Sequence, residues 1–269
     1  MLAPPHLFIA VVVALLCGGC GSFKNDGSAG PGDAGDAGVG SSSGGSHDGA
    51  IADAAGGGGV DGTSGDAPAG DGDGGCGVTC ATNTDVLLFG GFDDQYLGDT
   101  WTFGGVSWAQ SDGGDAPTGR IGAAAAPLHG AVLLFGGEDM NLDELGDTWV
   151  WNGSAWSMVA DAGPPGRSSA GMATLGSEVV LFGGEGDQGP VGDTWTWDGK
   201  DWTQGMPSTP PDPRESPGIA SVGGHVVLFG GWDGDSTFYD DTWLWDGTEW
   251  TQTSTVGPSY RGIPAMSGP

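Results

Sequence analysis

The chain has 269 residues and carries 35 acidic side chains against six Lys and Arg, a formal net charge of −29. That balance repels phosphate backbones and anionic headgroups, so it excludes nucleic acid as a partner and a basic patch as a means of holding a membrane. Solubility is sufficient reason for the acidity itself.

Leu7–Leu16 is an unbroken apolar run of ten residues. It is too short for a permanent membrane-spanning helix and the right length for the core of a signal peptide. Cys17-Gly18-Gly19-Cys20 follows, and it resembles a bacterial lipoprotein box in which Cys20 is the residue cleaved before and lipidated. A lipid on Cys20 would anchor the chain by acyl groups; the other reading of residues 1–20 is an ordinary secretory signal. From Gly21 to about Gly75 the chain is Gly, Ser, Ala and Asp. Such a segment buries too little apolar surface to offset the entropy of ordering, and is expected to be a flexible tether roughly 40 Å from end to end.

Cys76 and Cys80 stand at the end of the tether. In a straight strand, residues four apart lie about 13 Å from each other, beyond the roughly 7 Å that a disulfide spans. Either this segment is a stapled loop or the two thiols are unpaired in a strand. No second Cys/His pair accompanies them, so no zinc site is expected.

From residue 76 to 269 one pattern is written four times, over about 76–116, 117–163, 164–210 and 211–257. Each copy has a β-rich apolar run closing on Phe-Gly-Gly, at Phe89–Gly91, Phe135–Gly137, Phe182–Gly184 and Phe229–Gly231. A loop leads to Asp-Thr-Trp at Asp99, Asp147, Asp193 and Asp241, and an aromatic recurs two residues after each Trp. That spacing puts both rings on one face of a strand. A hairpin turn such as Asp198-Gly199 or Asp246-Gly247 follows, and a third Trp returns at 108, 156, 202 and 250. A strand of small residues opened by Pro-x-x-Arg lies upstream, with Arg120, Arg167, Arg214 and Arg261 spaced 47 apart. The unit is a four-stranded antiparallel meander, strands A to D, and repetition at this period predicts an all-β propeller of about four blades.

These motifs resemble the kelch repeat, and in particular bacterial kelch blades related to the propeller of galactose oxidase. The resemblance implies the fold strongly and an activity weakly. Copper-radical chemistry like that of galactose oxidase requires two His, two Tyr and a crosslinked Cys. The repeats hold only His129 and His225, both at A–B turns, and no cysteine after Cys80. The C–D turns resemble the Asp-box of sialidases without its leading Ser. No metal, cofactor or catalytic residue is expected; calcium lacks a DxDxDG loop with its terminal Glu.

Closure of the ring stays open at this point. Blade one lacks the Arg, and its strand A is supplied either locally by Cys76–Thr82 or by residues 258–269 swinging round; otherwise Arg261 opens a surplus strand. The local hairpin is the preferred expectation. An open arc would leave aromatic sheet faces exposed, a surface for self-association.

In a meander the B–C and D–A loops share one face and the A–B and C–D turns the other. The B–C loops hold 7, 9, 8 and 9 residues, while the A–B and C–D spacings never change. Variable loops on a rigid frame are where binding residues sit. That face carries the B–C acids Asp93, Asp94, Glu138, Asp139, Glu185, Asp187, Asp233 and Asp235. It also carries Trp232, the one tryptophan outside the repeated strand positions, with Phe238 and Tyr239. Trp232 reads as a loop cap or as an anchor for a sugar or a partner. Arg120, Arg167 and Arg214 read as struts to the periodic Asp, or as a ring gripping an anionic partner. The chain is therefore expected to be a binding module for a protein or glycan, in a bacterial cell envelope by lipid anchor (outer membrane or surface) or secreted. The rival readings are a polysaccharide hydrolase or lyase using B–C acids, and an inactive truncated paralogue.

Overall fold

The computed structural model describes residues 11–14, 86–112, 114–254, 257–261, 264 and 266–268, and every regular element among them is a strand. Blade one contains β1 (Val11–Ala14), β2 (Val86–Phe89), β3 (Thr100–Phe103) and β4 (Trp108–Ser111). Blade two is β5 (Ala124–Leu128), β6 (Ala131–Phe135), β7 (Thr148–Trp151) and β8 (Trp156–Ala160). Blade three has β9 (Gly171–Leu175) and β10 (Glu178–Phe182). A small hairpin of β11 (Glu185–Gly186) and β12 (Gly189–Pro190) sits in its B–C loop, before β13 (Thr194–Trp197) and β14 (Trp202–Gly205). Blade four is β15 (Gly218–Val222), β16 (His225–Phe229), β17 (Thr242–Trp245) and β18 (Trp250–Ser254). Each blade is one antiparallel sheet in the order A-B-C-D, as the repeat predicts.

The register matches the motif. Phe135 pairs with Thr148 and Val132 with Trp151, and the same offsets recur as Phe89 with Thr100 and Phe182 with Thr194. The C–D turns close because Asn152, Asp198 and Asp246 each accept two backbone N–H groups through one side-chain oxygen, the Asx geometry that favours these residues in turns. The paired glycines meet both demands placed on them. Gly90 and Gly91 have φ of 71° and 108°, and a Cβ on Gly90 would stand 2.7 Å from the Arg120 carbonyl of the next blade.

The core lies between blades rather than within them. Strand B of each inner blade alternates faces: Val132 and Leu134 join Leu87, Phe89 and Trp156 at the first boundary, while Leu133 and Phe135 join Val179, Leu181 and Trp197 at the second. Val180 and Phe182 meet Val226, Leu228 and Trp250 at the third. β6 and β10 are therefore buried on both faces, whereas in β2 burial alternates and only Leu87 and Phe89 are covered. Successive A strands touch, β1 to β5, β5 to β9 and β9 to β15, and no packing of that extent joins β15 back to β1 among the described residues.

The strand-A place of blade one differs from the expectation. It is taken by β1, whose Val11–Ala14 pair with Val86–Phe89, and not by a local hairpin. Cys76–Thr82, Cys20 and the tether lie outside the described residues. At the other end, the C-terminal segment does not close on blade one but docks on blade four as the start of a further strand A. The Gly231 N–H donates to the Arg261 carbonyl at 3.1 Å, and Pro264 and Met266 pack against Gly218, as Pro217 and Ile219 pack against Gly171 one blade earlier.

Candidate binding face

The B–C and D–A loops do share a rim. The Ile121 N–H donates to the Glu138 carbonyl at 3.0 Å and the Ile121 carbonyl accepts the Glu138 N–H at 2.9 Å; Ser168 pairs in the same way with Glu185, and Glu215 with Trp232. Adjoining D–A loops are tied by the Ser169 N–H to the Gly122 carbonyl and by the Ser216 N–H to the Ser169 carbonyl, both at 2.7 Å.

The arginines that open strand A are struts. Arg120 donates from Nη1 to Asp147 Oδ1 at 2.6 Å and to the Gly136 carbonyl at 2.8 Å, and from Nη2 to Asp147 Oδ2 at 2.9 Å. Arg167 grips both oxygens of Asp193 and the Gly183 carbonyl, and Arg214 those of Asp241 and the Gly230 carbonyl. The same aspartates accept the indole N–H of Trp149, Trp195 and Trp243. Burial alone would raise the three carboxyls, but the paired guanidinium outweighs it and holds them below the usual carboxylate range. With Arg120, Arg167 and Arg214 at 0–2% exposure, no guanidinium surface is left for a ligand. The arginine-grip reading of these three residues is corrected accordingly: a buried charge must be satisfied within the fold, and the periodic Asp does so.

Two acids of the B–C loops, Asp139 and Asp233, are likewise engaged. Asp139 Oδ1 accepts the N–H groups of Asn141 and Asp143, and Asp233 Oδ1 those of Asp235, Ser236 and Thr237. The Thr237 side chain and those backbone donors hold the Asp233 carboxyl far below its ordinary value. A second group of acids is different. Tyr96 donates to Glu138 Oε1 at 2.7 Å and Ser168 to Glu144 Oε1 at 3.0 Å, while Glu144 Oε2 and Glu185 Oε2 are buried without a partner among the described residues. Burial pushes the Glu144 carboxyl up to about 7; the Ser168 hydroxyl draws part of that back, and Glu138, Glu185 and Asp187 add repulsion. Burial also raises Glu185, and burial together with Glu138 takes Tyr96 to about 12. Glu144 carries no special mark in the repeat; its environment comes from Ser168 and Glu185 in the next repeat. Among the described residues, no three His, Cys, Asp or Glu are placed to hold a metal ion.

The aromatics of blade four are brought together. Trp232 stands where the second and third blades have Glu138 and Glu185. Its ring is half-buried and stacks on Phe238 at 5.8 Å and 14°, and Phe238 stacks on Tyr260 at 5.7 Å and 26°. Tyr239 lies beside this file, with the Arg214 guanidinium 3.7 Å from its ring centre. Phe238 is 46% exposed and Tyr260 61%, so the file is open along one side. Tyr260 was missed as a site residue, yet the repeat marks it: it occupies the position of Gly119, Gly166 and Pro213, where no other copy has a side chain able to stack. Trp232 is thus both a cap on its own loop and one end of an aromatic surface.

Four-stranded blades joined through interleaved aromatic faces, with glycine pairs and Arg–Asp struts at the loop rim, define a kelch-type β-propeller architecture. The chain belongs to the kelch-repeat family: residues 106–266 match the KLHDC2/KLHL20/DRC7 Kelch-repeats domain. No curated protein matches the chain significantly. Kelch-repeat domains are generally protein-interaction modules rather than enzymes.

Proposed function

We propose that this chain is an exported binding module that presents its B–C/D–A rim to a protein partner and is held at a bacterial cell envelope through a lipid on Cys20, the cleavage before Cys20 taking β1 off the edge of blade one. The observation that carries this reading is the stacked file Trp232–Phe238–Tyr260, assembled from two loops, of which the B–C loop also holds the acids Asp235 and Asp240. Flat aromatic surface that is already ordered costs little entropy on binding and supplies most of the energy at a typical hot spot. The surrounding carboxylates favour a partner that brings basic side chains.

A glycan is the second reading, favoured by the near-parallel stacking, which leaves ring faces and edges suited to sugar C–H groups. Immobilised full-length chain is exposed to a printed glycan array and to an extract of envelope proteins, alongside Trp232→Ala. Retention by wild type and loss of at least tenfold in the variant, with unchanged melting, supports the rim as the binding surface. Turnover on a polysaccharide panel that Asp233→Asn or Asp235→Asn abolishes would support the hydrolase or lyase instead. Anchoring is tested separately: Cys20→Ser is expected to move the chain from the detergent phase to the aqueous phase, and no change would remove the lipid from the account.

A further inference from the structure

One boundary is built three times in this chain, and among the described residues its Trp half and its Phe/Thr half recur at the two ends without each other. At each boundary the third Trp of a blade enters the preceding blade. Trp156 packs edge-on against Phe89 at 5.2 Å and donates to Thr100 Oγ1 at 2.9 Å; Trp202 does so to Phe135 and Thr148, and Trp250 to Phe182 and Thr194. Trp156 and Trp250 are 4% and 2% exposed. Trp108, the same residue of blade one, has no preceding blade among the described residues and is 47% exposed. At the far end Phe229 and Thr242 hold the receiving positions: Phe229 is 8% exposed, with Gly257 rather than a tryptophan ring beside it, Thr242 is partly buried, and no indole donates to it among the described residues.

The charges divide in the same way. Asp147, Asp193 and Asp241 each hold an arginine, but Asp99 accepts only the Trp101 indole among the described residues, at 2.5 Å. Arg261, which opens the strand A docked on blade four, is exposed and, among the described residues, donates to Ser259 and the Tyr260 carbonyl alone. One end therefore offers a Trp and a carboxylate, the other a Phe/Thr slot and a guanidinium.

We infer that two copies of this chain join head to tail, blade one of one copy packing on blade four of the next. Trp108 enters the Phe229/Thr242 slot, and Arg261 pairs with Asp99 of the neighbouring copy. The segment that carries Arg261, Pro264 and Met266 then serves that neighbour's first blade in the place of β1. The contact is heterologous, so it extends or closes according to the rotation between blades. It continues an interface the fold already uses, with complementary shape and opposite charge at its two sides.

The test is a charge swap on the full chain, read by light scattering over a concentration series. Wild type is expected to associate. Arg261→Asp and Asp99→Arg each place like charges across the contact, and each alone is expected to weaken association at least tenfold. Mixed in equal amounts, the two variants restore opposite charges at both contacts and should associate again. Circular dichroism melting confirms that each variant is folded, and Trp108→Ala, an exposed position, gives an independent variant that should also weaken association. A wild type that stays monomeric throughout, or a mixture that stays as dissociated as its parts, overturns the inference. Recovery only when both substitutions lie in one chain, with no gain on mixing, would mean that the chain closes on itself, and would overturn it too.

Discussion

Trp156 Nε1 donates to Thr100 Oγ1 at 2.9 Å across 56 residues of sequence, with both groups buried between the first two blades. The bond recurs at the next two boundaries, so each blade is held by its predecessor through the same indole. A boundary tryptophan therefore contributes to stability in proportion to the blade it meets. Trp156→Ala and Trp250→Ala are expected to cost about 3–5 kcal/mol in denaturant unfolding. Trp108→Ala, half exposed, is expected to stay within about 0.5 kcal/mol in dilute solution where chains do not associate.

The Arg–Asp struts should be as sensitive as the tryptophans. Arg167→Met leaves Asp193 part-buried without its cation and is expected to destabilise by about 3–5 kcal/mol. Arg167→Lys is not a mild change, because a point charge cannot serve two carboxylate oxygens and the Gly183 carbonyl in one plane. It should recover less than half of that loss in the same unfolding measurement. Binding by the Arg167→Lys chain, measured below its melting transition, should be unaffected, since the guanidinium does not reach the surface.

Stability should depend on pH from two directions. Asp147, Asp193 and Asp241 have depressed carboxyls when folded, so their contribution is present above the ordinary carboxylate range and is lost as pH falls through the folded values. Glu144 is the reverse. Its folded value is raised to about 7, so the fold carries no penalty from it below about pH 4.5 and loses stability as pH rises towards 7. Because Glu144 is only half-buried, screening reduces this to on the order of 1 kcal/mol. Glu144→Gln should flatten the decline between pH 5 and 7 and raise the melting temperature at pH 8; a decline that persists in the variant would assign it elsewhere.

The glycine pairs offer a check on the backbone. Gly136 has φ of 67°, and any Cβ there meets the Arg167 carbonyl, which also accepts the Gly137 N–H at 2.9 Å. Gly136→Ala combines left-handed strain with a backbone clash and is expected to cost more than about 1 kcal/mol in unfolding. Gly153→Ala, also at positive φ but with open space around it, should cost less.

What was legible in the sequence was whatever repeats. Phe-Gly-Gly, Asp-Thr-Trp and the 47-residue step of Pro-x-x-Arg fix the strands, their register and the sharing of loops between faces, because each copy must present the same surfaces to its neighbours. The strut role of Arg120, Arg167 and Arg214 was also readable, as a periodic cation facing a periodic anion. Blade one was not. Its strand A, Val11–Ala14, carries no repeat motif, and an apolar run near the N-terminus reads as a targeting core whatever it pairs with. Glu144 and Tyr260 acquire their settings from residues in other repeats, Ser168 and Glu185 for one and Phe238 for the other. A single-chain pattern does not encode such neighbours.

The proposed function assigns binding to the variable rim and not to the uniform face of A–B and C–D turns. Two full-length variants compared with wild type on the same glycan array and envelope-protein extract test it most directly: Trp232→Ala on the rim, and Lys200→Glu in a C–D turn. Trp232→Ala is expected to lose binding at least tenfold and Lys200→Glu to keep it. Retained binding in the first with loss in the second would contradict that assignment.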